Sequence, residues 1–231
     1  MIQCDLFNNF PIASWTLIII IFGYFTSERN MIMKIIIGIS GASGVIMGER
    51  LLRALKGNKK VETHLIITES AKKNFALETD LNIKSVLALS DYFYASDDMS
   101  AKIASGTYDA DAMIVIPCSM KSLAGIVSGY SDNLLLRAAD VTLKERRPLI
   151  LVPREMPLSR LHLKNLAAAA DLGAVIIPPM LTFYSGAETV ESQIDNVIGR
   201  TLMQLGIEYK KFHPWEGKKV VKSPFEEIEL F

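Results

Sequence analysis

Met33–Gly44 reads MKIIIGISGASG, and this stretch decides the fold. Its first seven residues, Met33 to Ile39, are a short apolar run in which four of the seven are β-branched isoleucines. Such a run suits a strand buried on both faces, as strands of parallel sheets are. The small residues Ser40 to Gly44 follow as a turn. From Val45 to Lys56 apolar residues then recur at helical spacing. Strand, tight turn and helix form the opening half of a βαβ unit.

The same alternation continues outward. Strands are predicted at 62–68 (ETHLIIT), 111–117 (DAMIVIP), 148–152 (PLILV) and 174–177 (AVII). Helices are predicted after the second strand, passing through Ala71 and Phe75, over 119–128, 133–146 and 159–171, and from 190 to 205. Five strands alternating with helices imply an α/β chain. The expected architecture is a single Rossmann-like or flavodoxin-like domain with a doubly wound parallel sheet and right-handed crossovers. In such sheets ligands bind beyond the carboxyl ends of the strands. The segments to search are therefore 40–44, 68–70, 118–122, 153–155 and 178–185.

Residues 1–30 are set apart from this domain. Their apolar core, Pro11 to Phe25, is shorter than a bilayer-spanning helix requires and is preceded by Asp5 rather than by basic residues. The expectation is that translation starts at Met31 or Met33, with membrane association not expected. The domain is placed at 31–217, and residues 218–231 are read as a charged tail.

Composition narrows the function. Lys+Arg and Asp+Glu are 25 each, so nothing in bulk charge attracts nucleic acid. Any anion site must arise from local placement of basic groups. Two cysteines, Cys4 and Cys118, give no disulfide framework and fit a reducing cytoplasmic setting. No Cys/His cluster has metal-ligand spacing, and Asp97-Asp98 lacks the third aspartate of metal–diphosphate enzymes.

The turn Gly41-Ala42-Ser43-Gly44 lets backbone approach a ligand and opens a helix, whose free N–H groups favour a phosphate. Its spacing is not the dinucleotide fingerprint, and Thr68 rather than a carboxylate closes strand two, so FMN fits better than NAD. Ser119-Met120-Lys121-Ser122 repeats the arrangement after the third strand; taken alone it also reads as an ordinary serine-capped helix. Arg154-Glu155 sits directly after strand four between two prolines. There a guanidinium can clamp phosphate and a carboxyl group can move a proton. Lys144 to Arg147 reads as a solvated helix end, Cys118 as core filler and His64 as a satisfied mid-strand residue. Tyr184 and Trp215 each read singly as packing.

Together these stretches resemble the flavin prenyltransferases, the UbiX-like proteins also known as aromatic-acid decarboxylase subunits. The resemblance rests on GISGASG (38–44), LETD (77–80), the run from Ala104 to Ile126, RAADVTLKERRPLILVPRE (137–155), GAVIIPPMLTFY (173–184) and the late Trp215. It implies a Rossmann-like domain assembled as a homo-dodecamer, with FMN held between subunits. It also implies a metal-independent reaction that joins the dimethylallyl group of dimethylallyl phosphate to N5 and C6 of reduced FMN, for use by a UbiD-type decarboxylase. By the same resemblance, Gly41, Ala42, Ser43, Thr68, Ser105, Ser119, Met120, Lys121, Ser122 and Arg137 bind the flavin. Lys144, Arg154, Tyr184 and Arg200 hold the prenyl phosphate. Ser43, Glu78, Glu155 and Trp215 are expected to take part in catalysis.

Two rivals remain at this point. A cysteine-peptide decarboxylase shares the fold but uses an early catalytic histidine and a PxMNxxMW-like loop, absent here. A non-catalytic FMN-binding subunit would need no second phosphate site.

Overall fold

The structure is a computed structural model that describes residues 32–215 and Gly217. The expectations for the apolar stretch before Met31 and for the tail beyond Gly217 lie outside these residues.

The strands are β1 (Met33–Ile39), β2 (Val61–Ile67), β3 (Tyr92–Tyr94), β4 (Ala112–Cys118), β5 (Leu149–Pro153) and β6 (Val175–Ile176). The helices are α1 (Ile46–Leu55), α2 (Glu69–Glu78), α3 (Ile83–Leu87), α4 (Met120–Ser128), α5 (Leu134–Lys144), α6 (Arg160–Asp171) and α7 (Val190–Met203), with a short 3-10 turn at Lys102–Ala104. All strand pairs are parallel, in the order β3-β2-β1-β4-β5-β6. The five expected strands are present, each with bounds within two residues. β3 was not predicted; it adds a sixth strand at the edge, where Tyr92 pairs with His64.

Alternation along the strands divides the core into two layers. Ile35, Ile37, Ile39, Leu65 and Ile67 pack with α1, α2 and α7, whereas Ile36, Ile66, Met113 and Val115 pack with α4 and α5. Each fully buried Ile or Leu contributes about 1.5–3 kcal/mol, which explains why the strands are nearly pure aliphatic. Side chains cap the helices: Thr68, Asn82, Ser119, Asn133, Ser159 and Thr189 each accept a backbone N–H of the first turn.

The strand order reverses direction between β1 and β4, so the turns after these strands flank the topological switch point. Ser40 joins them. Its hydroxyl donates to the Pro117 carbonyl (2.9 Å) and accepts from the Ser119 N–H (2.7 Å). The helix end at Lys144–Arg147 is not simply solvated as expected. Arg147 is half-buried and donates to the carbonyls of Tyr108 (2.7 Å) and Gly106 (3.1 Å).

Candidate active site

Three cavities open along the carboxyl ends of the strands. The first, about 260 Å³, is lined by Gly41, Thr68, Glu69, Ser70, Ser96, Ser119, Lys121, Ser122, Asn133 and Leu136. Five of these were expected to bind flavin. Hydroxyls dominate the wall, with one ammonium and one carboxylate. The Ser119 hydroxyl donates to Ser122 Oγ (3.1 Å) while accepting the Ser122 N–H (3.2 Å), and Thr68 Oγ1 accepts the Ala71 N–H (3.3 Å). Such a set of donors beside helix N-termini fits part of a phosphate-bearing flavin.

Gly41 is required by close approach. A Cβ there would lie 2.3 Å from Cβ of Ser70. Gly41→Ala must push the first turn of α2 away, and we expect a loss of about 1–3 kcal/mol in urea unfolding together with weaker FMN binding in a fluorescence titration.

The second cavity, about 560 Å³, is lined by Ser43, Arg154, Met180, Phe183, Thr189 and Gln193, among others. The third, about 520 Å³, includes Met120, Arg154, Glu155, Met156, Pro179 and Leu181. Arg154 is the basic side chain common to both. Glu78 arrives beside Ser43 by an unexpected route: its carboxylate accepts the Gly44 N–H at 2.7 Å. Glu155 is exposed and accepts the Met156 N–H at 3.1 Å. Met120 faces the apolar cavity rather than the hydroxyl-rich one, and Ala42 is buried within its turn.

Tyr184 and Trp215 meet edge to face, with ring centroids 6.0 Å apart and planes at 76°. Both rings are exposed, so they pack on one another at the surface rather than in the core. Trp215 is held through its upstream segment. The Tyr209 hydroxyl donates to buried Asp195 (2.7 Å), and Phe212 covers Gly199, where a Cβ would lie 2.1 Å from Phe212 Cγ. We expect Gly199→Ala to displace Phe212, cost about 1–3 kcal/mol and free the Trp215 ring. A red-shifted Trp215 emission in a Trp15→Phe background would report this.

The remaining expected residues are not gathered here within one chain. Arg137 donates to the Ala104 carbonyl (3.1 Å) and to Asp140 (2.7 Å), beside Ser105 on the segment that follows the 3-10 turn. Lys144 pairs with Glu145 at the far end of α5. Arg200 is exposed ten residues beyond the start of α7, about 15 Å along the axis at 1.5 Å per residue. None of these four lines the three cavities. Cys118 is fully buried, and burial pushes its thiol up to about 12, which leaves it an unreactive core residue as expected.

Sequence reasoning missed Ser40, Ser70, Ser96 and Asn133. Ser40 and Ser70 lie inside the post-strand segments singled out for search, and Asn133 precedes an apolar helix as a cap should. Ser96 carried no signal, because it follows the unpredicted β3.

A profile of the Flavoprotein family matches residues 25–202. A probable UbiX-like flavin prenyltransferase from Sedimentibacter hydroxybenzoicus is 55% identical over 187 residues, covering 81% of this chain and 99% of that protein. The crystal structure of a dodecameric FMN-dependent UbiX-like decarboxylase from Escherichia coli O157:H7 superposes with a TM-score of 0.79 at 48% identity, covering 80% of this chain and all of the other. The structure of AnUbiX in complex with FMN and dimethylallyl pyrophosphate gives a TM-score of 0.78 at 44% identity, covering 81% and 99%. With the family profile spanning most of its length and 55% identity across nearly all of the Sedimentibacter protein, the chain belongs to the family of UbiX-like flavin prenyltransferases.

Proposed function

We infer that this chain is a flavin prenyltransferase that transfers a dimethylallyl group to reduced FMN. The observation that carries this reading is Arg154, which lines two cavities, one together with Ser43 and the other together with Glu155. A fixed cation at that place is what a departing phosphate needs.

In this reading, Thr68, Ser119, Lys121 and Ser122 hold the flavin, and the turn 41–43 lies against it. Reduced flavin supplies the nucleophilic nitrogen that accepts the prenyl carbon as the ester C–O bond breaks. Arg154 stabilises the phosphate that leaves with the bonding electrons. Tyr184 donates a hydrogen bond to that phosphate, and Trp215 turns its π face toward cationic character on the prenyl group, worth about 0.5–2 kcal/mol. Glu155 accepts the proton shed at ring closure, and Glu78, through the Gly44 N–H, sets the position of Ser43.

Ser105, Arg137, Lys144 and Arg200 enter this scheme from neighbouring copies. Their absence from the cavity linings within one chain supports a site completed by assembly, and the dodecameric relative supports a homo-oligomer. The dodecamer itself, a UbiD-type decarboxylase as recipient of the product and a cytoplasmic setting are further parts of the proposal. Among the described residues no helix is long and apolar enough to cross a membrane.

The test is anaerobic incubation with reduced FMN and either dimethylallyl phosphate or diphosphate, followed by mass measurement of the flavin. A five-carbon gain supports prenyl transfer, and the faster ester identifies the substrate. An unchanged flavin, still bound to intact protein, would make the chain a carrier instead. Loss of CO₂ from a cysteinyl peptide would make it a decarboxylase.

A further inference from the structure

His64 is fully buried, yet it lies at the centre of a polar cluster that the reaction scheme leaves unused. Its Nδ1 is 3.1 Å from the Tyr94 hydroxyl. Its Nε2 is 2.9 Å from Glu62 Oε1 and 2.9 Å from the Tyr108 hydroxyl, which is itself 3.3 Å from Glu62 Oε1. Tyr92 stacks on the imidazole with centroids 4.9 Å apart and planes 5° from parallel. The Lys102 ammonium lies over the rings of Tyr92 (4.2 Å) and Tyr108 (4.8 Å).

One arrangement of protons satisfies every group. The Tyr94 hydroxyl donates to Nδ1, Nε2–H donates toward Glu62, and the Tyr108 hydroxyl donates to the same carboxylate. This needs a neutral imidazole. Burial lowers the imidazole pKa and nearby Lys102 adds to that, against the pull of Glu62 and Asp91. A buried polar network of this kind costs free energy unless all members are paired, and once paired it holds its parts in one geometry.

The parts held are the two segments that dock on α5. Through Tyr94 the imidazole fixes the end of β3. Two residues later Ser96 lines the hydroxyl-rich cavity, and its carbonyl accepts the Leu134 N–H at the start of α5 (2.8 Å). Through Tyr108 and Glu62 it fixes the end of segment 102–108. That segment carries Ser105, and its Ala104 carbonyl receives Arg137. Both arms thus lead from one buried ring to residues assigned to the flavin.

We propose that His64, with Glu62, is a positioning residue for flavin binding that sets Ser96 on one side and Ser105 with Arg137 on the other. This rests on the flavin assignment above. His64 touches none of the three cavities, so it acts only through Tyr94, Tyr108 and Glu62.

The test is an FMN titration by flavin fluorescence on the full chain, with amide exchange of residues 94–108 and steady-state prenylation. His64→Leu removes both ring nitrogens, whereas His64→Gln keeps one donor and one acceptor. His64→Leu should raise the FMN Kd by about tenfold or more, the loss of one or two buried hydrogen bonds. It should also speed exchange within 94–108, and leave kcat at saturating FMN within about threefold. His64→Gln should recover most of the affinity. If His64→Leu does not fold, Glu62→Gln, at a partly exposed carboxylate, replaces it with the same expectation. An unchanged Kd in a folded His64→Leu or Glu62→Gln protein overturns the proposal. A parent chain that binds no FMN overturns it together with the flavin reading.

Discussion

Arg154→Met should lower kcat/KM for prenyl transfer by about 10²–10³-fold, the usual range for removing one preorganised electrostatic stabiliser, while FMN still binds. Arg154 follows β5, whose residues are all buried, and its backbone N–H donates to the Cys118 carbonyl at 3.1 Å. Its backbone is therefore fixed while the residue lines both apolar cavities. A positive charge on a rigid strand end costs little reorganisation as the phosphate departs. Methionine keeps the stem and loses the charge, so the fold should survive. Steady-state kinetics across ester concentrations check this. Equal loss in kcat and kcat/KM would place the guanidinium at the breaking bond; a rise in KM alone would reduce it to a binding group.

Glu155→Gln should slow product formation by about 10²–10⁴-fold, the range for a positioned proton-transfer group, with little change in FMN affinity. The side chain is exposed and its carboxylate accepts only the adjacent Met156 N–H among the described residues. Glutamine retains that acceptor and the shape but does not take up a proton. Mass measurement of the flavin over time checks this, and a variant with parent-like turnover would remove Glu155 from the proton route.

The pair Arg154-Glu155 was legible because it sits in a short segment directly after a strand, where local sequence alone defines position. The same holds for Gly41–Ser43 and Ser119–Ser122. The Tyr184–Trp215 pair was not legible as a pair, since the two rings lie 31 positions apart in the chain and meet only in the folded structure. Arg147 was misread as solvated for the same kind of reason. Its carbonyl partners, Gly106 and Tyr108, lie 41 and 39 residues earlier in the chain. β3 escaped because three partly exposed residues at a sheet edge carry neither a long aliphatic run nor a clear alternation.

By itself, then, the sequence determined the parallel α/β architecture, since aliphatic runs such as Ile35–Ile37 and Ile114–Ile116 are stable only when covered on both faces. It also determined the turns that carry the chemistry, because strand ends and helix starts are local features. Only the tertiary structure decided which turns share a cavity, that Ser40 ties β1 to β4, and that His64 braces two loops against α5. These are contacts between residues 30 to 79 positions apart. Their geometry depends on how helices seat on the sheet, which no local pattern encodes.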